Sequence, residues 1–243
     1  MKKLDFHHKK TEMVKKLRNL FILMVIGVSL MACAFGTDRV KLYDPLTYKP
    51  VPEEGVKAAY ADVQDIKPIT GEKIRMVIKG IRDNRPDISI IGAKKNTYGM
   101  TTGKVDVEEG VVFLDLFTKN LINCFELAGY EVIPAKVFEA TSQIDKGNVK
   151  ASINTEIRTF WVEFMPGVWT VDAASNVIFE VRLFEPETTR EIWSEIFRGQ
   201  GKVSGMAVTR GMFEKSINIA YAEAMRNFYK AISDRKFRNM FEK

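Results

Sequence analysis

The sequence predicts an α+β fold: a mixed, largely antiparallel sheet in β-α-β-β-β-α order, with two long helices packed on one face. Three observations predict it. Between Ala151 and Phe197, apolar and polar side chains alternate along three segments joined by short turns. Two other stretches, Val107–Ala128 and Val208–Ile232, repeat apolar residues at helical spacing. Each of those helices carries one apolar stripe, and a sheet with one apolar face is what such stripes cover.

The chain begins with a segment that takes no part in that fold. A basic start leads into Leu20-Phe21-Ile22-Leu23-Met24-Val25-Ile26-Gly27-Val28-Ser29-Leu30, a run short for a bilayer span but suited to a signal peptide. Met13-Val14-Lys15-Lys16-Leu17-Arg18 is itself a compact basic start, an alternative beginning for the leader. The run ends at Leu30-Met31-Ala32-Cys33, which reads as the cleavage and lipid-attachment signal of a bacterial lipoprotein. Residues 1–32 are then a cleaved signal peptide. Cys33 carries diacylglycerol on its thiol and a further acyl chain on its freed amine, and several chains make anchoring stable where one is marginal. The other reading of this stretch is an uncleaved anchor with an incidental cysteine. Ala34 follows Cys33 in place of the aspartate that retains such proteins in the inner membrane, so the expected location is the outer membrane, facing the periplasm.

Removing the leader changes what composition says. Of 37 Lys and Arg residues the leader holds seven, and of 31 Asp and Glu residues it holds two, which leaves 30 against 29. A net charge of +6 falls to +1, so the basic balance belongs to targeting and gives no sign of nucleic-acid binding. Both histidines, His7 and His8, lie in the leader. The remainder therefore lacks the commonest general base and the commonest transition-metal ligand. With Cys33 acylated, Cys124 is left alone, without a disulfide partner or a thiolate zinc site. The expectation is a non-enzymatic protein with no cofactor and no metal.

Residues 33–72 read as a lipidated N-terminus and tether that partly packs on the domain, with Val40-Lys41-Leu42-Tyr43 as a short edge strand and Pro50, Pro52 and Pro68 as breaks. Residues 73–243 form one α+β periplasmic domain. Its first strand is Lys73–Ile81, with Ile74, Met76 and Ile78 alternating. A long loop from Arg82 to Gly103 is dense in turn formers. The first helix follows, capped by Asp106, with Val111, Leu114, Phe117, Leu121 and Phe125 as its stripe and Gly129 as its left-handed stop. Cys124, beside that stripe, reads as a small core residue rather than a reactive thiol. Glu131-Val132-Ile133 begins a short strand. In the three long strands the parity slips near Phe160, which predicts a bulge. Pro166-Gly167 and Pro186-Glu187-Thr188-Thr189 supply the turns. Gly199-Gln200-Gly201 lacks the Lys-Ser/Thr ending of a phosphate cradle and reads as a loop before the last helix. That helix carries Phe213, Ile217, Ala220, Tyr221, Ala224, Phe228 and Ile232 on one face.

Two stretches invite a functional reading. In the loop, Asp83, Asn84, Arg85 and Asp87 form either a turn pinned by an Arg–carboxylate pair or a partner-recognition surface. The aromatic hairpin Phe160–Trp169 is apolar on both parities through residue 164, so Trp161 and Phe164 are candidates for docking a protein partner, the other readings being contact with the membrane interface and burial in the core.

Arg82-Asp83-Asn84-Arg85-Pro86-Asp87, Ile91-Gly92, Asn96 and Tyr98-Gly99-Met100, taken with the leader and the following helix, resemble the YajG family of bacterial lipoproteins. There a strand leads into an Asp-x-Arg motif and an Ile-Gly step, and a helix ends at a Gly-Tyr pair; here Gly129-Tyr130 holds that place. The resemblance spans Lys73 to Val132 and implies a periplasm-facing lipoprotein with no assigned chemistry. The leading expectation is thus an outer-membrane-anchored component or accessory of a cell-envelope protein assembly, with a membrane and an envelope protein as partners. The alternative is a small-ligand or lipid-binding auxiliary lipoprotein of an envelope transport system, to whose layout the chain is also similar.

Overall fold

The computed structural model describes residues 36–49, 73–96, 98–135, 148–166, 170–186, 188–207 and 209–242. The leader, Cys33, most of the expected tether and Trp169 lie outside these residues. The elements run β1 (Gly36–Val40), β2 (Ile74–Asp83), β3 (Gly92–Lys95), β4 (Thr101–Val107), α1 (Phe113–Leu127), β5 (Tyr130–Pro134), β6 (Val149–Pro166), β7 (Val171–Phe184), β8 (Glu191–Gly205), α2 (Arg210–Ile232) and a short α3 (Arg235–Arg238). The α+β class holds. The expected β-α-β-β-β-α order does not, because β1, β3 and β4 were not anticipated as placed.

All eight strands join one curled, mixed sheet. Its axis is β6, eighteen residues long. Along one edge β6 pairs in antiparallel fashion with β7, which pairs likewise with β8. Along the other edge it takes two parallel partners in succession, β2 against its first half and β3 against Val162–Phe164. β5 adds to the far side of β2, also parallel. Three parallel pairings thus sit beside the antiparallel meander. Held between β5 and β6, β2 buries Met76, Val77 and Ile78 in succession instead of alternating. The predicted bulge is present: the β6–β7 register shifts between Ile157 and Thr159. Before it the odd residues of β6 are buried; after it, Phe160 and Val162 are.

Both helices lie on the face that those residues line, since Phe179 of β7 meets Phe117 of α1 at 5.3 Å and Phe228 of α2 at 5.9 Å between ring centroids. Further edge-on pairs, Phe125–Phe228 at 5.1 Å and Phe160–Tyr221 at 5.3 Å, fill the layer between sheet and helices. Every residue expected on the α2 stripe is buried. Cys124 is buried too, and burial pushes its thiol pKa far up, away from reactivity.

The start of α1 differs from expectation. Asp106 and Val107 belong to β4, and the Asp106 carboxylate accepts from the backbone of Val107 rather than capping a helix. Gly110, at φ +80°, turns the chain, and α1 begins only at Phe113. Val111 therefore leaves the stripe and is exposed, while Gly129 ends the helix at φ +88° as expected.

The loop assigned to Gly199–Gly205 is the second half of β8. Its glycines serve close approach: a Cβ on Gly199 would lie 2.0 Å from the Ala220 carbonyl oxygen, and one on Gly201 2.0 Å from that of Ser216. Helix α2 rests directly on the strand backbone there.

Candidate interaction surface

Asp83 ends β2, and the next eight residues carry the chain from that strand to β3 on the same edge of β6. Backbone bonds fix both ends: Asn84 N–H donates to Ile157 O at 2.9 Å, and Val162 N–H to Ile91 O at 2.8 Å. Within this connection Arg85 turns inward. Its Nε and Nη2 bind the two Asp83 carboxylate oxygens at 2.9 and 2.8 Å, Nη1 binds Ile90 O at 3.0 Å and Nη2 reaches Ile88 O at 3.3 Å. The guanidinium lies 4.3 Å from the ring centroid of Phe113 on α1. With side-chain exposures of 3% for Arg85 and 14% for Asp83, this pair fastens the connection to the helix layer. Asp87 is exposed and accepts from the Ser89 backbone and hydroxyl, and those bonds hold its carboxyl below the ordinary range.

Asn84 faces the other way. Its side chain donates to Glu156 at 2.9 Å, on the sheet face that no helix covers among the described residues. Strand alternation adds Arg158, Glu180, Arg182, Ser194 and Trp161 to that face. Glu180 is the centre of an ionic cluster: Arg182 donates at 2.6 Å, Ser194 at 3.1 Å, and Arg158 donates as well. The Arg182 hydrogen bond is the largest influence holding the Glu180 carboxyl below its usual range, against the opposing effect of burial. Beside the cluster an open hollow of about 540 Å³ runs over β2, β6 and β7, lined by Lys79, Arg82, Asn154, Arg182 and Phe184. Lys79 and Arg82 make no ion pair among the described residues, so the hollow is cationic on balance.

The predicted site residues are therefore divided by the sheet. Asn84 and Trp161, the latter in register with Asn176, belong to the open face. Arg85 is buried on the helix side, and Phe164 is half-buried against the core there, in register with Ala173. Asp83 follows Arg85. Sequence reasoning missed the Glu156–Arg158–Glu180–Arg182 cluster, although alternating charges at even positions of two paired strands were a usable signal. Among the described residues no group of three or more Cys, His, Asp or Glu is placed to hold a metal ion, and no helix is long and apolar enough to cross a membrane.

No protein-family model matches the chain. No curated protein matches it either. Solved structures do. The chain is similar to a neuraminyllactose-binding hemagglutinin homolog from Helicobacter pylori at 15% identity and a TM-score of 0.46, over 84% of this chain and 97% of that one. It is also similar to a DUF330-family protein from Xanthomonas campestris at 8% identity and a TM-score of 0.46, over 72% and 95%. A Neisseria meningitidis lipoprotein matches at 15% identity and a TM-score of 0.30, over 68% and 99%. At these identities no residue role carries across.

Proposed function

We propose that this protein is a lipid-anchored, non-enzymatic component or accessory of a cell-envelope protein assembly, held at the periplasmic face of the outer membrane through Cys33. The observation that carries this reading is the sequence Leu30-Met31-Ala32-Cys33 at the end of a basic and then apolar leader. The resemblance of the Arg82–Met100 loop to YajG-type lipoproteins agrees with it, and a chain without histidine beyond residue 8 suits binding better than acid–base catalysis. The surface best suited to a protein partner is the open sheet face, where Asn84 and Trp161 flank an ionic cluster already ordered before binding.

The alternative, carriage of a small ligand, draws support from one feature: the hollow walled by Phe184 and rimmed by Lys79 and Arg82 would suit an acidic molecule. Photoreactive residues at Asn84, Trp161 and Arg82 in living cells separate the two. Discrete protein adducts from Asn84 and Trp161 that vanish in Cys33→Ser support the assembly reading. Adducts confined to Arg82 and of small-molecule mass overturn it in favour of carriage.

A further inference from the structure

The direction of β1 determines how a lipid-anchored chain presents itself to the membrane. Val40 O accepts from the Glu108 backbone at 3.1 Å, just past the end of β4, while Asp38 pairs with Lys94 at 2.8 Å, whose register partner on β4 is Gly103. From Asp38 to Val40 the chain thus runs the same way as from Gly103 to Glu108. Gly36, the first described residue, therefore lies toward the Thr101 end of β4, where the β3–β4 turn lies. Cys33 precedes Asp38 by five residues. Even fully extended, five residues span at most about 17 Å. A membrane holding the acyl chains of Cys33 therefore lies close to that end of the domain.

The same end displays large apolar side chains that are exposed among the described residues. Tyr98 is 86% exposed and Met100 60% on the β3–β4 turn. Met206, 93% exposed, follows the last residue of β8. Gly205 is in register with Val171, Val171 with Pro166, and Lys94 with Phe164, so the two connections emerge at one end of the sheet. Single exposed apolar residues are ordinary. Three from two separate connections, at the end from which the anchored segment departs, fit the interfacial layer of a bilayer, where a tyrosine ring and flexible thioethers exchange water for headgroup and acyl boundary.

We propose that this end of the domain rests on the bilayer that holds Cys33, with Tyr98, Met100 and Met206 entering its interfacial layer; the proposal rests on the lipid-anchored reading above. The open sheet face then stands upright from the membrane, accessible from the side.

The test uses the full chain, matured in a bacterial host and reconstituted into vesicles of phosphatidylethanolamine and phosphatidylglycerol. Met100→Cys and Met206→Cys, each labelled with a nitrobenzoxadiazole dye, are compared with Thr188→Cys on the β7–β8 turn at the opposite end. All three positions are exposed, and buried Cys124 escapes the label. Mass spectrometry of the same sample reports acylation of Cys33. With Cys33 acylated, headgroup-nitroxide lipids are expected to quench the dyes at 100 and 206 several-fold more than the dye at 188. Equal quenching at all three sites on acylated protein overturns the orientation alone. A Cys33 free of lipid overturns both the anchoring and the orientation.

Discussion

Arg85→Ala should unfold the β2–β3 connection from within. The substitution removes the three guanidinium bonds to Asp83, leaves that carboxylate largely buried without its cation, and strips the carbonyls of Ile88 and Ile90 of their donor. Breaking one side of a buried ion pair costs about 3–5 kcal/mol. The lost stacking over Phe113 belongs to the same event, at about 0.5–2 kcal/mol, and overlaps with it rather than adding. The expected loss is therefore about 4 kcal/mol, a large share of the 5–15 kcal/mol typical of a whole domain. Urea unfolding followed by tryptophan fluorescence reads it as a midpoint lower by about 2 M for a slope near 2 kcal/mol/M. Arg85→Lys keeps the charge but not the planar fork, and should fall between the two. A loss below about 1 kcal/mol for Arg85→Ala would refute the pinning role and return this arginine to partner recognition.

Gly201→Ala drives a Cβ to 2.0 Å from the Ser216 carbonyl oxygen and should cost about 3 kcal/mol in thermal unfolding, whereas Gly80→Ala, with nothing within 4 Å, should stay within about 0.5 kcal/mol. Equal effects would mean that α2 does not rest on the β8 backbone. Glu180 titrates below its usual range in the folded state, so it contributes stability above the unfolded glutamate value, and that contribution is lost as pH falls through and below 4.5. Glu180→Gln should flatten this acid limb of the stability profile; an unchanged limb would show that the ionic cluster is not formed in solution. Cys124 should resist a maleimide in native protein at pH 8 and react once denatured; stoichiometric native labelling would contradict its burial.

The meander and α2 were legible because their periods are long and uninterrupted: β7 keeps one parity from Ala173 to Leu183, and the α2 stripe repeats from Phe213 to Ile232. Even the β6 bulge left a parity slip. The β3–β4 hairpin was hidden because Gly92-Ala93-Lys94-Lys95 and Thr101-Thr102-Gly103-Lys104 carry almost no apolar alternation. Lys94 is buried and pairs with Asp38, more than fifty residues earlier. The glycines of β8 looked like a loop because the close approach that requires them is tertiary. In the candidate site, the turn chemistry of Asp83–Asp87 was readable, but not which way Arg85 faces: that depends on Phe113 and on the carbonyls of Ile88 and Ile90.

That β2 and β3 share one edge of β6 also dictates an order of assembly. Both strands precede β6 by more than fifty residues, and neither pairs with the other. A chain emerging N-terminus first therefore holds β2–β5 as short ribbons with open edges until Val149–Pro166 arrives, the circumstance in which strands find wrong partners. Truncation anywhere before Val149 removes the strand on which every other piece of the sheet closes. Such a fragment would need a holding chaperone, whereas the chain completed through β6 covers the inner edges of β2 and β3 and leaves the other edge of β6 for β7.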